Sequence, residues 1–247
     1  MKKNIWRNIR KVWALLGLCI IGWMWFTFQA QHVDASIFES DTTLEVTASD
    51  DLISFTPKEG FDKVLLFYPG GMVAPEAYAP LCRQIAESGC QVQLIKMPWR
   101  LATKGYNKPK ELDLLADTTF EYILAGHSQG AKMAAQFVYE NPSLIDKLIL
   151  IGTTHPRDIN LSSIGLPIMK ISGTNDGIAS MEKVLENKPK LPEHTRFVTI
   201  EGANHSQFGH YGFQFGDDKA DISREEQQKQ VVEYIQAFIL NQPMAAQ

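Results

Sequence analysis

The sequence contains little cysteine and no obvious metal-binding pattern. It has three cysteines among 247 residues, and no Cys/His grouping has the spacing of zinc ligands, so neither a disulfide scaffold nor a zinc site is expected. Cys19 lies in an apolar run, away from the other two. Cys82 and Cys90 flank a predicted helix. We expect them to be free and mostly buried, since they pair only if the geometry of the fold allows it.

Charge is distributed unevenly along the chain. Acidic residues are missing before Asp34, whereas five of the 24 basic residues lie in the first eleven positions. The rest of the chain carries 19 basic against 28 acidic residues, a net charge of −9. A nucleic-acid partner is therefore not expected, because it would need a basic face.

The N-terminal segment has the pattern of a membrane-targeting sequence. Basic residues 1–11 precede an apolar run at residues 12–28, and this order predicts a targeting segment over residues 1–29. A polar linker is expected at residues 30–42, followed by one domain at residues 43–247. The excess of basic residues before the apolar run predicts that this domain lies outside the cytoplasm.

Two interpretations of the targeting segment remain open. A cleaved signal peptide would use Val33-Asp34-Ala35 as its cleavage site and release a secreted protein. A signal anchor would keep a single membrane-spanning helix, and the run of 17 residues is at the short end of the range of about 17–25 that spans a bilayer. Trp23, Trp25 and Phe28 suit the aromatic belt of a membrane interface. We favour the anchor, which places the protein at the cell membrane.

The remainder of the chain alternates buried strand patterns with helical ones. Strands are predicted at residues 43–47, 52–56, 63–68, 90–96, from 122 to the turn at 126, 148–151, 167–172 and 196–200, the first two as a hairpin. Helices are predicted at residues 78–88, 110–116, 131–139, 178–185 and 225–240. This alternation predicts an α/β fold with a mostly parallel sheet covered on both faces. Ligands bind at the carboxyl ends of the strands in such sheets, so the chemistry should come from residues just after strands.

A Gly-x-Ser-x-Gly motif occupies residues 126–130, between the strand that begins at Tyr122 and the helix at 131–139. A serine at so sharp a turn is exposed at the apex, near the positive end of the helix. Side chains in place of Gly126 and Gly130 would collide with the neighbouring strand and helix. Ser128 is therefore the candidate nucleophile.

A serine nucleophile needs a base and an acid that orients the base. Asp176 follows the strand at 167–172 and is the candidate acid, with Glu201 as the weaker rival. His205 follows the strand at 196–200 and is the candidate base. His155 is the best substitute base. The other histidines near these positions are expected to pack structurally (His127) or to line the pocket (His210).

Acyl transfer also needs N–H donors for a developing oxyanion. One candidate is the backbone N–H of Gln129, the residue after the serine. The second should come from the turn after the strand at 63–68, where glycine allows close approach of the backbone to a substrate. We favour Gly71 as this donor, with Met72 as the rival.

These residues give the chain, from about residue 43 to 240, a resemblance to the α/β-hydrolase superfamily. The motif at 126–130 matches the nucleophile elbow of that superfamily, and Ser128, Asp176 and His205 follow its chain order of nucleophile, acid and base. Residues 67–73 and 202–209 are similar to a compact bacterial branch grouped with dienelactone-hydrolase-like proteins. Two features depart from the resemblance. Many members have His-Gly where this chain has Pro69-Gly70, and dienelactone hydrolases proper use a cysteine nucleophile.

The resemblance implies an α/β-hydrolase fold with helices on both faces of the sheet. The gap at residues 152–166 is too short for a cap domain. The site should therefore be open, covered at most by residues 99–108 and 208–215.

The resulting hypothesis is a membrane-anchored, carboxylesterase-like serine hydrolase. It would cleave a carboxylic ester or thioester through an acyl-enzyme. The substrate would be a small-molecule or cell-envelope ester, and neither a metal nor a cofactor is implied. Two alternatives remain open: transfer of the acyl group to a cell-envelope acceptor, and a catalytically silent binding protein on the same fold.

Overall fold

The computed structural model describes residues 2–243, with side chains from Trp6 onward. Its strands are β1 Leu44–Ala48, β2 Leu52–Pro57, β3 Lys63–Tyr68, β4 Gln91–Ile95, β5 Glu121–His127, β6 Lys147–Ile151, β7 Ile168–Gly173 and β8 Arg196–Ile200. Its α-helices are α1 Lys2–Thr27, α2 Ala79–Ala86, α3 Ala102–Gly105, α4 Lys108–Glu111, α5 Gln129–Glu140, α6 Met181–Glu186 and α7 Arg224–Ile239.

The eight strands form one sheet in the order β1-β2-β4-β3-β5-β6-β7-β8. β1 and β2 form the predicted hairpin, and β2 runs antiparallel to β4. The remaining six strands, β3 to β8, run parallel to one another. The predicted α/β-hydrolase fold with a mostly parallel sheet is therefore confirmed. No helix lies between β6 and β7, in agreement with the prediction that a cap domain is absent.

Two hydrophobic cores cover the faces of the sheet, because successive side chains of a strand point to opposite sides. On β3, Leu65 and Phe67 pack in the core that contains α2 and α7. Leu66 and Tyr68 pack in the opposite core, with α5. The central strands are buried on both faces, which is why they appear in the sequence as continuous apolar runs. Cys82 and Cys90 are free and buried, as expected.

Two predicted helices differ from the observed ones. The helix predicted at residues 110–116 is wrong, because the observed α4 ends at Glu111 and Asp113 has a left-handed φ of 52°. Pro109 lies at the start of α4, where its missing N–H is tolerated. The helix predicted to begin at residue 178 begins only at Met181. The carboxylate of Asp176 holds the N–H groups of Ile178 and Ala179 in a turn before it.

Helix α1 contains one stretch, Trp6–Thr27, that is long and apolar enough to cross a membrane by length and composition, with a mean hydropathy of 1.5. At 1.5 Å per residue its 22 residues extend about 33 Å, close to the thickness of a bilayer core. The C-terminal end of α1 packs against the domain. The carbonyl of Thr27 accepts a hydrogen bond from Gly212 N–H at 2.7 Å, and that of Phe28 accepts one from Ala74 N–H at 2.8 Å.

The segment predicted as a linker, residues 30–42, lies along the surface of the domain. Its residues 35–38 form a single 3-10 turn. The guanidinium of Arg83, on α2, donates hydrogen bonds to the carbonyls of Ile37 and Glu39 at 2.9 and 2.8 Å and forms an ion pair with Asp41. This cation fixes the path of the segment between α1 and β1.

Candidate active site

Ser128 lies at the turn between β5 and α5 in strained backbone, with φ 53° and ψ −115°, a region that non-glycine residues rarely occupy. Its N–H donates to the carbonyl of Ile151 at 2.9 Å, which fastens the turn to β6. A Cβ on Gly126 would lie 2.6 Å from the backbone of Gly130, and a Cβ on Gly130 would lie 2.1 Å from the carbonyl oxygen of Tyr68. The collisions predicted from the sequence are thus present at both glycines.

Asp176 and His205, which follow β7 and β8, form a buried pair. Nδ1 of His205 and Oδ2 of Asp176 lie 2.9 Å apart, and both side chains are almost completely shielded from solvent. The other carboxylate oxygen accepts hydrogen bonds from the N–H groups of Ile178 at 2.9 Å and Ala179 at 2.6 Å. Glu201, the rival acid, is exposed. Asp176 is therefore the acid that contacts this histidine.

The second ring nitrogen of His205 is free. Nε2 is buried and has no hydrogen-bond partner among the residues that the structure describes. It is not hydrogen-bonded to the hydroxyl of Ser128, although such catalytic contacts are often long before a substrate binds. An imidazole fixed at Nδ1 by a carboxylate and free at Nε2 is arranged to accept a proton from a neighbouring hydroxyl.

A carboxylate that the sequence analysis did not single out holds the backbone around His205. Buried Asp217 accepts hydrogen bonds from the N–H of His205 at 3.1 Å and from the N–H and Oγ of Ser206 at 2.8 and 2.6 Å. It lies in a loop remote from any strand end, so a search for acids after strands passes over it. In the sequence, nothing distinguishes it from the adjacent Asp218.

His127 has the structural, packed role that is expected from the sequence. Its Nδ1 lies 2.8 Å from the hydroxyl of Tyr78, which also accepts a hydrogen bond from Gly70 N–H at 3.2 Å. Its ring lies 4.5 Å from that of His205. Complete burial, and secondly the nearby His205, lower the pKa of His127 well below its usual value. The ring is therefore neutral and links the turn after β3 to the nucleophile turn.

The two rival donors in the turn after β3 differ in their hydrogen bonds. The N–H of Met72 donates to the carbonyl of Arg100 at 2.7 Å, whereas the N–H of Gly71 has no acceptor among the described residues. Gln129 opens α5, and N–H groups in a first helical turn lack an intrahelical acceptor. The side chain of Gln129 covers Gly71, since a Cβ there would lie 3.0 Å from it. Of the two rivals, only Gly71 has a free N–H beside Gln129.

One cavity that borders Ser128 is a polar recess of about 340 Å³. We call it the basic recess, because Lys132, His155 and Arg157 contribute to its lining. Burial, followed by the charges of Lys132 and Arg157, lowers the pKa of His155 to about 4, so this ring is neutral at pH 7. Its Nδ1 accepts a hydrogen bond from the N–H of Arg157 at 3.3 Å, and no carboxylate among the described residues pairs with it. His155, the substitute base, therefore lacks an orienting acid.

A second cavity of about 590 Å³ borders Gly71 and Gln129 on the side of α1. Leu101 and Phe215, from the two loops expected to cover the site, contribute to its walls. His210 borders neither cavity, so the expected pocket-lining role does not apply to these two. Within the described residues, no group of three or more His, Cys, Asp or Glu side chains is arranged to hold a metal ion.

Comparison with known proteins identifies the family. The family model described as "Alpha/beta hydrolase family" matches residues 64–229, and the chain therefore belongs to this family. No curated protein sequence matches the chain.

Several solved structures share the fold at low sequence identity. Est1E from Butyrivibrio proteoclasticus has a TM-score of 0.58 at 14% identity, over 81% of this chain and 100% of that one. The carboxylesterase CesB from Bacillus subtilis has a TM-score of 0.55 at 12% identity, over 84% and 95% of the two chains. A dienelactone hydrolase from Anabaena variabilis has a TM-score of 0.58 at 13% identity, over 82% and 100%. These likenesses concern the fold, and they agree with a hydrolase.

Proposed function

We propose that this hydrolase is a membrane-anchored serine esterase that cleaves carboxylic esters or thioesters through an acyl-enzyme. The observation that carries the proposal is the buried Asp176–His205 pair, 2.9 Å apart, at the edge of the sheet where strained Ser128 also lies. The chain belongs to the alpha/beta hydrolase family and shares its fold with the carboxylesterase CesB. The serine, the acid and the base each follow a different parallel strand, as the geometry of such sheets requires.

In the proposed reaction, Oγ of Ser128 attacks the carbonyl carbon, and Nε2 of His205 takes the hydroxyl proton. Asp176 holds the imidazole through Nδ1 and stabilises its positive charge. The backbone N–H groups of Gly71 and Gln129 stabilise the oxyanion. When the intermediate collapses, the alcohol or thiol leaves with the proton from His205. Water then attacks the acyl-enzyme and gives a proton to His205. When this second intermediate collapses, His205 returns the proton to Oγ of Ser128, and the carboxylic acid is released.

The proposed location is the cell membrane, with α1 as an uncleaved anchor and the domain outside the cytoplasm. Two observations support this. The basic residues at 2–11 precede the apolar helix, and basic residues favour the cytoplasmic side. Phe28 is part of the domain core, so cleavage after Ala35 would remove a core side chain. Alkaline extraction of membranes, combined with protease treatment of intact cells, tests the location: release of the protein into the soluble fraction would contradict it.

Active-site labelling tests the mechanism. The full-length protein in detergent is treated with a fluorophosphonate, and the modified residue is located by mass spectrometry. We expect modification of Ser128, none in Ser128→Ala, and a rate at least about 10³-fold lower in His205→Ala, since the base activates the nucleophile. Ser143→Ala, the same change at an exposed serine, is the matched control and should retain the wild-type rate. A folded protein that is not modified would reject the hydrolase mechanism and favour the binding-protein alternative.

A further inference from the structure

The cavity of about 590 Å³ is an apolar groove between the membrane helix and the proposed oxyanion turn. It is within the range of roughly 300–1,000 Å³ that is usual for ligand sites. One wall comes from α1 and its end, through Ile20, Trp23, Met24 and Phe28. The opposite wall includes Leu101 and Phe215. One end of the groove thus reaches the backbone that would hold the reacting carbonyl, since Gly71 and Gln129 border it.

The side chains that α1 gives to the groove lie on one helical face. Their spacing of three, four and eight residues from Ile20 places them together along the helix. Three of them, Ile20, Trp23 and Met24, belong to the stretch that is apolar enough to span a membrane. A groove built on this stretch is continuous with the hydrocarbon region, where the helix would leave the bilayer.

Exposed aromatic side chains lie on the two loops that contribute Leu101 and Phe215 to the groove. Trp99 is 85% exposed and Phe215 is 84% exposed, and Phe213 is also largely exposed. The loops that carry them are fastened to the end of α1. The guanidinium of Arg100 lies 4.5 Å from the centre of the Trp25 ring, and Gly212 N–H donates to the carbonyl of Thr27. Aromatic side chains at the end of a membrane helix favour the interface between hydrocarbon and headgroups.

The basic recess, which Ser128 borders, differs in character from the groove, and Gln129 contributes to both. The basic recess contains the positive charges of Lys132 and Arg157. Lys132 lies 3.6 Å from Asp158, whereas Arg157 forms no ion pair within 4 Å among the described residues. The site therefore has an apolar groove on the side of the membrane helix and a polar, positively charged recess on the side of α5. A substrate that fits both parts is amphiphilic.

We propose that the apolar groove binds the acyl chain of a lipid ester taken directly from the outer leaflet of the membrane. This inference rests on the proposed function and names its substrate class: long-chain acyl esters with a polar or anionic alcohol part. The acyl chain of the substrate lies between α1 and the loops that carry Leu101 and Phe215. The ester carbonyl reaches Ser128, and the headgroup occupies the basic recess. Each methylene buried in the groove gives about a fourfold gain in binding.

Alkyl phosphonofluoridates of different chain length test the groove, because the alkyl group takes the place of the acyl chain on the modified serine. The full-length protein is reconstituted in lipid vesicles, and the rate of Ser128 modification is measured with an ethyl and an octyl reagent. We expect the octyl reagent to react at least about 50-fold faster, since six further methylenes are buried. Equal rates would overturn the inference and leave the hydrolase intact. Failure of both reagents to modify Ser128 would instead reject the proposed function.

Matched substitutions on α1 separate the groove from general partitioning into lipid. Ile20→Trp places a bulky ring in the groove, whereas Ile21→Trp places the same ring at the same depth on a different face of α1. We expect the octyl-to-ethyl ratio to fall at least about tenfold in Ile20→Trp, as buried methylenes are displaced, and to stay unchanged in Ile21→Trp. Leu101→Phe narrows the groove from the opposite wall, without altering α1, and should lower the ratio as well. Equal ratios in all variants would overturn the inference.

A hexadecyl reagent held in the bilayer tests whether the acyl chain enters the groove directly from the membrane. The reagent is incorporated either in the vesicles that contain the protein or in separate vesicles. We expect rapid modification of Ser128 only when protein and reagent share a bilayer, because the chain enters the groove laterally. If the octyl reagent reacts from solution and the hexadecyl reagent in the same bilayer does not, direct uptake from the membrane is overturned.

Discussion

The backbone N–H of His205 donates a hydrogen bond to Oδ1 of Asp217 at 3.1 Å. His205 is therefore held by two buried carboxylates, Asp176 at the ring and Asp217 at the main chain. The first fixes the direction of the imidazole. The second fixes the loop from which the imidazole extends, because it also binds the N–H and hydroxyl of Ser206.

Asp217→Asn should lower the rate of Ser128 modification by about 10²-fold, the usual effect of displacing a catalytic group by about 1 Å. The amide presents an NH₂ group where the carboxylate accepts hydrogen bonds from Ser206, so the loop shifts. The rate with a fluorophosphonate measures the effect. Asp218→Asn, the same change at the next residue, is the control and should retain the wild-type rate. Equal rates in the two variants would show that Asp217 does not position the base.

Tyr78→Phe should lower both stability and activity. The hydroxyl accepts a hydrogen bond from Gly70 N–H and pairs with Nδ1 of His127, so its removal leaves two buried polar groups unpaired. The expected cost is about 1–3 kcal/mol in the free energy of unfolding, measured by denaturant titration. The exposed Tyr139 provides the control Tyr139→Phe, which should change neither quantity. An unaltered stability in Tyr78→Phe would mean that these groups find other partners.

Phe28→Ala tests whether the end of α1 is part of the domain. Phe28 is 7% exposed and packs edge-on against Tyr211, with ring centres 6.1 Å apart. We expect a loss of about 3–5 kcal/mol in the free energy of unfolding, as for other buried phenylalanines. Phe26→Ala, at a position that is 70% exposed, removes the same group and should leave the domain as stable as before. Equal losses would contradict the docking of the helix end.

Lys170 should make stability depend on pH. Burial on β7 lowers the pKa of Lys170 from 10.5 to about 7, while its Nζ donates to the carbonyls of Thr153 and His155. Below pH 7 both the folded and the unfolded chain carry this charge. Between about pH 7 and 10.5 only the unfolded chain binds the proton, so the free energy of unfolding gains up to about 1.4 kcal/mol per pH unit.

Denaturant titrations of Lys170→Met across pH 6–10 measure this contribution. The difference between the wild type and the variant should rise in favour of the wild type above pH 7. The exposed Lys229 provides the control, because Lys229→Met removes a positive charge without removing a buried one. A constant difference between the wild type and Lys170→Met at all pH values would contradict the prediction.

The nucleophile turn and the strands were predictable because their determinants are local. Continuous apolar runs indicate strands that are buried on both faces, and residues 63–68 and 196–200 have the predicted bounds. The crowding at Gly126 and Gly130 follows from a sharp turn between a strand and a helix. The helix predicted at 110–116 was wrong because the periodicity of the apolar residues there is weak. The chain instead turns at Asp113, which has a left-handed φ.

By itself, the sequence determined the order of elements, the parallel sheet and the candidates Ser128, Asp176 and His205. Only the tertiary structure decided which rivals have the required partners. The N–H of Met72 donates to the carbonyl of Arg100, and Glu201 is exposed. Asp217 accepts a hydrogen bond from His205, and Phe28 packs against Tyr211. The physical reason is the range of the interactions. Periodicity and turn chemistry act between neighbours in the chain, whereas these hydrogen bonds and ring contacts join segments that meet only when the sheet is complete.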